Sequence, residues 1–317
     1  MTGSLPYIEY VVALRWRDDR DLAEFTDYLK AMPAFVDITV VDGSAPELFG
    51  RHAAAWQPVA RHVPVEPWPG RNGKVAGVVT GVRAARHECV IIADDDVRYR
   101  PEQLSQVADG LAVADLVRPQ NVFRPTPWHA HWDTARSLIN RAFGSDYPGT
   151  LGVRRSTFNR AGGYDGDVLF ENLQLIRTVL AVGGRQLRAD DIFVPRRPPS
   201  VDRFLEQRIR QAYDDLAQPA RLVWEASWLP LLLAAAIRRP RVAAVLPLLP
   251  PVIAEIGRRR HGGRDNYCRY AALWAPLWCL ERTFTVWIAL AQWVTGGARY
   301  RGQRIPRAAS RPQAATA

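Results

Sequence analysis

The chain of 317 residues is long enough for one large domain or two smaller ones, and its three cysteines lack the CxxC spacing of a disulfide framework or zinc site. Its net charge of +10 is unevenly placed: from Arg238 onward fourteen arginines stand against three acidic residues, so the first 237 residues are close to neutral. That positive charge is interleaved with apolar runs rather than gathered on a polar face, which argues against a nucleic-acid binder and for a lipid surface.

The opening Met1–Pro6 is short and polar and lacks a signal-peptide pattern, so the bulk of the protein is expected in the cytoplasm. Tyr7–Leu14 reads as a first strand, and Asp21–Ala31 has the apolar spacing of a helix. Phe35–Val41 is a second strand ending in the turn Asp42-Gly43-Ser44, and Pro46–Trp56 fits a helix with proline in its first turn. Ala60–Val65 is a weaker strand. Lys74–Ala85 suits a helix whose glycines allow close packing on a sheet.

Cys89–Ala93 is a short apolar run suited to a strand buried on both faces. Asp94, Asp95 and Asp96 follow it directly. Three carboxylates cannot enter such a core unpaired, so they emerge at the carboxyl edge of the sheet, where open α/β folds bind ligands. Carboxylates held so close either form a solvated acidic turn or call for a hard cation, Mg²⁺ or Mn²⁺, and that cation suits a diphosphate. Repeated strand–helix alternation predicts an α/β fold, a mostly parallel sheet with helices on both faces.

Pro101–Val113 is a further helix and Leu116–Phe123 a further strand. In the aromatic segment 124–147, Trp128, His129, His131 and Trp132 are candidates to line an acceptor cleft; the spacing alone does not make the histidines a metal pair. Gly149–Phe158 reads as strand and turn, Leu169–Val182 as a helix beginning near Glu171, and Asp202–Leu216 as an amphipathic helix.

From Leu222 the composition changes. Leu222–Ile237 and Val242–Ile256 are apolar runs of 16 and 15 residues, and Ala271–Val294 is a run of 24 interrupted by Glu281-Arg282. A straight membrane span needs roughly 20 apolar residues, so these read as tilted spans, a re-entrant hairpin or interfacial helices, with an ordinary hydrophobic helical domain as the alternative. Tryptophans near the run ends and arginines between the runs resemble interfacial anchors. The expected division is a catalytic domain over 1–220, a hydrophobic helical region over 221–297 and a basic, disordered tail over 298–317.

Four segments in this order resemble the inverting family 2 glycosyltransferases of the GT-A fold, in particular the membrane-bound branch that includes ceramide glucosyltransferases. Asp42 in VVDGS matches the strand-end aspartate that contacts the donor nucleoside, and Asp94 and Asp96 match the DxD motif holding metal and donor diphosphate, with Asp95 between them. Asn72-Gly73-Lys74 looks like the segment running into the helix behind the nucleotide. Lys74 is one of two lysines against 40 arginines; it is suited either to offset donor phosphate charge or to a solvated helix start.

Gly162-Gly163-Tyr164-Asp165 followed by Glu171-Asn172 is similar to the region carrying the base. Asn172 stands where the family's aspartate would, so the resemblance passes the base role to Glu171, with Asp165 and Asp167 next. Gln207 and Arg210 match the (Q/R)xxRW motif, in which Gln211 replaces the tryptophan.

The resemblance implies metal-dependent transfer of a sugar from a UDP- or GDP-sugar to a lipid or lipid-linked acceptor, by an enzyme held on the cytoplasmic face of a membrane. Two alternatives stand beside it. A nucleotidyltransferase would carry a glycine-rich loop after the first strand, and Arg15–Asp19 holds no glycine. An inactive glycosyltransferase-like scaffold is the other, prompted by Asn172.

Overall fold

The computed structural model describes residues 7–144 and 146–310. Seven strands form one sheet. β1 (Ile8–Leu14) and β2 (Val36–Asp42) run parallel in direct register, from Ile8 opposite Val36 to Leu14 opposite Asp42. Between them lies α1 (Leu22–Lys30), and α2 (Pro46–Trp56) leads on to the edge strand β3 (Arg61–Pro64). α3 (Gly73–Ala84) returns the chain to β4 (Cys89–Ala93), which pairs parallel with the other side of β1. α3 lies very close to β1: a Cβ on Gly81 would stand 2.3 Å from the Val11 side chain, and one on Gly77 would stand 2.8 Å from that of Ala13. The helix is capped by Asn72, whose side chain accepts from the Lys74 amide (3.1 Å) and donates to the Val168 carbonyl (2.9 Å).

α4 (Pro101–Val113) and β5 (Leu116–Phe123) follow, then α5 (Trp128–Phe143), β6 (Thr150–Arg154) and the short α6 (Arg155–Arg160). β6 inserts antiparallel between β4 and β5. α7 (Glu171–Ala181) leads to β7 (Gln186–Arg196), an edge strand parallel to β5. The order is β3-β2-β1-β4-β6-β5-β7, a mostly parallel arrangement with helices on both faces. Two elements differ from expectation. The aromatic segment after β5 is the helix α5, because Ala130, Ala135, Leu138, Ile139 and Ala142 bury one helical face. β7 was not expected at all, since Asp190 and Asp191 interrupt its apolar pattern.

α8 (Val201–Asp214) precedes the C-terminal helices: α9 (Pro219–Arg238), α10 (Pro240–Val245), α11 (Leu249–Arg259), α12 (Gly263–Asn266) and α13 (Ala275–Val294). α11 seats on α5, where Gly257 lets the backbones touch; a Cβ there would lie 1.8 Å from the Leu138 carbonyl oxygen. Two helical stretches, Pro219–Arg238 and Pro240–Arg259, are long and apolar enough to cross a membrane, with mean hydropathies of 1.4 and 1.3. The charges that interrupt the third run face inward and do not pair with each other. Glu281 accepts from the Trp132 indole (3.0 Å) and from Arg208 (3.5 Å), while Arg282 bonds Gln211 (3.3 Å) and the Arg208 carbonyl (3.3 Å).

The tail expected to be disordered from 298 is ordered as far as Ser310. β8 (Ala298–Tyr300) and β9 (Gln303–Ile305) form a hairpin, and the next residues lie against the start of α7. The Leu169 and Phe170 amides donate to the Arg307 and Ala308 carbonyls (3.0 and 2.8 Å), and Ile305 is fully buried. These main-chain bonds give an arginine-rich segment a partner that composition cannot reveal. The remainder of the tail, 311–317, lies outside the described residues.

Candidate active site

The apolar run of β4 stops at Ala93, and the chain turns. The Asp94 amide donates to the Gly149 carbonyl (2.8 Å) and the Val97 amide to the Asp94 carbonyl (3.1 Å), leaving the acidic residues at the carboxyl edge of the sheet. Gly149 leaves room for these side chains: a Cβ there would sit 2.5 Å from Asp94 Oδ2 and 3.0 Å from an Arg196 nitrogen and would push them aside. Three other elements deliver partners. Lys74, on the first turn of α3, bonds Asp94 Oδ1 through Nζ and also contacts Glu171 Oε1 (2.5 Å), on the first turn of α7. Arg196, at the end of β7, places Nη2 3.2 Å from Asp94 Oδ2 and Nε 2.9 Å from Asp96 Oδ2.

The site is therefore an alternating cluster of three carboxylates and two cations. Burial by itself would lower the Lys74 ammonium, but Asp94 and Glu171 more than offset this and hold it well above its ordinary range. Arg196 is raised for the same reason by Asp96 and Asp94. Burial pushes Asp94 up, yet Lys74 and Arg196 together hold it below the usual carboxylate range, with Arg203 adding to their effect. Asp96 goes the other way: burial and the neighbouring Asp94 and Asp95 charges outweigh Arg196 and raise it. Its Oδ1 is buried without a hydrogen-bond partner. A hard oxygen donor left open beside a second carboxylate fits a Mg²⁺ or Mn²⁺ ion.

The other expected site residues are placed differently. Asp95 turns away and accepts from the Trp16 indole (2.6 Å). Asp42 ends β2 as expected, but its side chain is fully buried. It accepts from the Ser44 amide (2.8 Å) and meets His52 Nδ1 (2.6 Å) and His62 Nε2 (3.1 Å). Against the burial penalty, these bonds bring its carboxyl down to about 2. A carboxylate so enclosed presents no face to a nucleoside in this structure; it clamps the loop after β2. Asn172 donates to the Pro148 carbonyl (2.9 Å), holding the segment that leads into Gly149. Asp165 pairs with Arg307 (3.0 Å) and Ser310 (3.2 Å), and Asp167 lies 3.7 Å from Arg71, so both belong to the C-terminal strap and its surroundings.

Gln207 and Arg210 lie on α8. Among the described residues no hydrogen bond joins either to the acidic cluster, and the Arg210 guanidinium stands over the Tyr300 ring of the hairpin (5.8 Å). Gln211, where the motif has tryptophan, bonds Asp133 (3.4 Å) and Arg282. His129 and His131 are not a metal pair: one meets the Pro199 carbonyl (2.9 Å), the other stacks on Trp274.

Two residues escaped the sequence reading. Arg196 carries no motif, and its strand was missed; its proximity to Asp96 comes only from the pairing of β7 with the acidic turn. Asp214, at the end of α8, is raised to about 7 by burial first, with the Glu171 charge adding to it against Arg210. Its place four residues after Arg210 on a helix was the available signal.

Residues 21–159, spanning the elements from α1 through β6, match the family profile described as Glycosyl transferase family 2. The protein is a glycosyltransferase of the GT-A fold. A mannosyltransferase from Pyrobaculum calidifontis, solved with GDP-Man and Mn²⁺, shares that fold. It is 18% identical with a TM-score of 0.52, the alignment covering 90% of this chain and 88% of the other. A mycobacterial protein of known structure aligns over 65% of this chain and 73% of its own, at 16% identity and a TM-score of 0.43. No curated protein sequence matches the chain.

Proposed function

We propose that this glycosyltransferase moves a sugar, with inversion and with a divalent cation, from a nucleotide-sugar to a hydroxyl or phosphate on a lipid at a membrane surface. The observation that carries the reading is the single ammonium of Lys74 held between Asp94 and Glu171, which brings a carboxylate of the acidic turn and a carboxylate of α7 to one small site. Asp94 and Asp96 would hold Mg²⁺ or Mn²⁺, which when bound supplies Lewis-acid neutralisation of the donor diphosphate. The mannosyltransferase of similar fold, solved with a nucleotide-sugar and Mn²⁺, agrees with that chemistry.

In the transfer, Glu171 takes the proton of an acceptor hydroxyl as its oxygen bonds to the anomeric carbon. The bond from that carbon to the diphosphate oxygen breaks, and its electron pair leaves with the nucleoside diphosphate. Attack opposite the leaving group inverts the centre. Lys74 offsets the charge that develops on the diphosphate. Asp42 supports this site by fixing the loop after β2, and Gln207 and Arg210 lie on α8, Arg210 beside the hairpin.

The lipid acceptor rests on the helices after residue 220. The two apolar stretches are only 11% and 17% buried against the rest of the protein, and Leu231, Ile237, Val245 and Leu248 are among their exposed residues. Arginines 238, 239 and 241 join the stretches, and residues 258–260 add three more. Apolar surface rimmed by arginine suits an anionic membrane face, and we assign the catalytic part to its cytoplasmic side.

Thermal unfolding with a panel of nucleotide-sugars, with and without Mn²⁺, tests the reading. The wild type is expected to gain a metal-dependent upward shift with its donor, and D96N to lose that shift while remaining folded. E171Q should keep the shift and lose about 10²- to 10⁴-fold in transfer. Full transfer by D96N would overturn the metal assignment.

A further inference from the structure

The backbone at the end of β7 is pinned to the acidic turn. The Arg98 amide donates to the Pro195 carbonyl (2.8 Å), the Arg197 amide to the Asp96 carbonyl (2.8 Å) and the Arg124 amide to the Arg196 carbonyl (2.9 Å). Arg196 therefore cannot leave the turn as a backbone unit, and any rearrangement there falls to its side chain.

That side chain spans the acidic pair, with one nitrogen on Asp94 Oδ2 and another on Asp96 Oδ2. Lys74 holds the other oxygen of Asp94. Both Asp94 oxygens are thus taken by cations, whereas Asp96 keeps Oδ1 buried and open. A divalent ion coordinated by both carboxylates needs an Asp94 oxygen, so one resident cation has to give way. Lys74 is tied to Glu171 on a second helix. Arg196 has its other named partner, Asp96, inside the same pair, and it is the cation that an arriving ion displaces from both carboxylates at once.

We propose that Arg196 is a displaceable counter-ion: a divalent cation takes its place on Asp94 and Asp96, and the released guanidinium turns to the donor diphosphate. The proposal rests on the sugar-transfer reading above. A guanidinium left without an anion in a half-buried cleft is costly, and the planar fork of arginine matches phosphate oxygens in pairs. Metal alone should enter poorly, and metal with a diphosphate should enter well. Arg196 then links the two binding events, and the linkage is reciprocal.

The test measures Mn²⁺ binding to the full chain by electron paramagnetic resonance, alone and with UDP or GDP, for the wild type, R196Q and R196K. The wild type should bind Mn²⁺ at least about tenfold more tightly when a nucleoside diphosphate is present. R196Q should bind Mn²⁺ alone at least about tenfold more tightly than the wild type, because a competing positive charge is gone. At saturating Mn²⁺ the same variant should bind the diphosphate at least about tenfold more weakly. R196K, which keeps the charge, should stay near the wild type in Mn²⁺ affinity. These opposite shifts are ones that a merely structural role would not produce.

If R196Q binds Mn²⁺ alone no more tightly than the wild type while R196K behaves normally, the counter-ion role is wrong and the sugar-transfer reading stands. If the wild type transfers sugar but binds Mn²⁺ neither alone nor with UDP or GDP, the metal reading falls, and this proposal falls with it.

Discussion

Asp214 shows how a single carboxyl reports its surroundings. It ends α8 between the charges of Glu171 and Arg210, with Oδ1 buried and without a hydrogen-bond partner, and burial raises its carboxyl to about 7. Between the ordinary aspartate range and about 7 the folded protein keeps a proton that the unfolded chain has released. Stability is therefore greatest below that window, falls as pH rises through it and levels off above it. Unfolding free energies from pH 4.5 to 7.5 should fall by up to about 3 kcal/mol more in the wild type than in D214N, whose amide does not titrate. Parallel pH profiles for the two proteins would show that Asp214 titrates normally. Asp42 has the opposite environment, because three hydrogen-bond partners favour its charged form. The contrast between these two aspartates comes from partner count and not from position on the chain.

At the scale of elements, the C-terminal strap ties the hydrophobic helices back to the catalytic edge. After α13 the chain forms the β8–β9 hairpin, and residues 306–310 bond α7 and its approach. Tyr213 donates to the Pro306 carbonyl (2.7 Å), and the Ser310 amide to Gln174 (2.7 Å). Ile305 fills the centre of this seam beside Leu169, Leu173 and Tyr213. Truncating a fully buried isoleucine there should cost about 2–5 kcal/mol. Because α7 carries Glu171 on its first turn, I305A should also lower transfer at temperatures where the protein is still folded. Denaturant unfolding and transfer assays on the same preparation check this, and unchanged stability would mean that the strap is not anchored by Ile305. A second tie runs through α8. Arg208 pairs with Asp133 (2.8 Å) on α5 and reaches Glu281 on α13, so the helix bearing Gln207 and Arg210 is braced against two others. The substitution of Gln211 for the motif's tryptophan belongs to this bracing, since its amide bonds both Asp133 and Arg282.

For the whole molecule, catalytic sheet and apolar helices act as one device only if the helices meet a membrane. The full chain should co-sediment with vesicles, and more strongly with anionic than with neutral lipid. Replacing Arg238, Arg239 and Arg241 with glutamine should weaken anionic binding at least about tenfold, given roughly 1 kcal/mol for each arginine near a charged surface. Binding that ignores lipid charge in both proteins would remove the electrostatic part of the argument. Most of the sheet was legible because local signals sufficed for it. The helices over Pro46–Trp56 and Pro101–Val113 and the strands over Cys89–Ala93 and Leu116–Phe123 occur as read, since apolar runs with proline and glycine at their ends leave few other conformations. From the sequence came the fold class, the acidic residues at a strand end, Lys74 and Glu171 as separate site candidates through the family resemblance, and the change to apolar helices after residue 220. Only the tertiary structure decided that Asp42 is enclosed by two histidines, that Asp95 faces Trp16, and that the arginine-rich tail packs as a strap. It also brought Arg196, 100 residues from Asp96, onto the acidic pair. Most of these contacts join polar groups distant in the sequence, and polar groups carry no periodicity that announces the partner they will meet once the strands are paired.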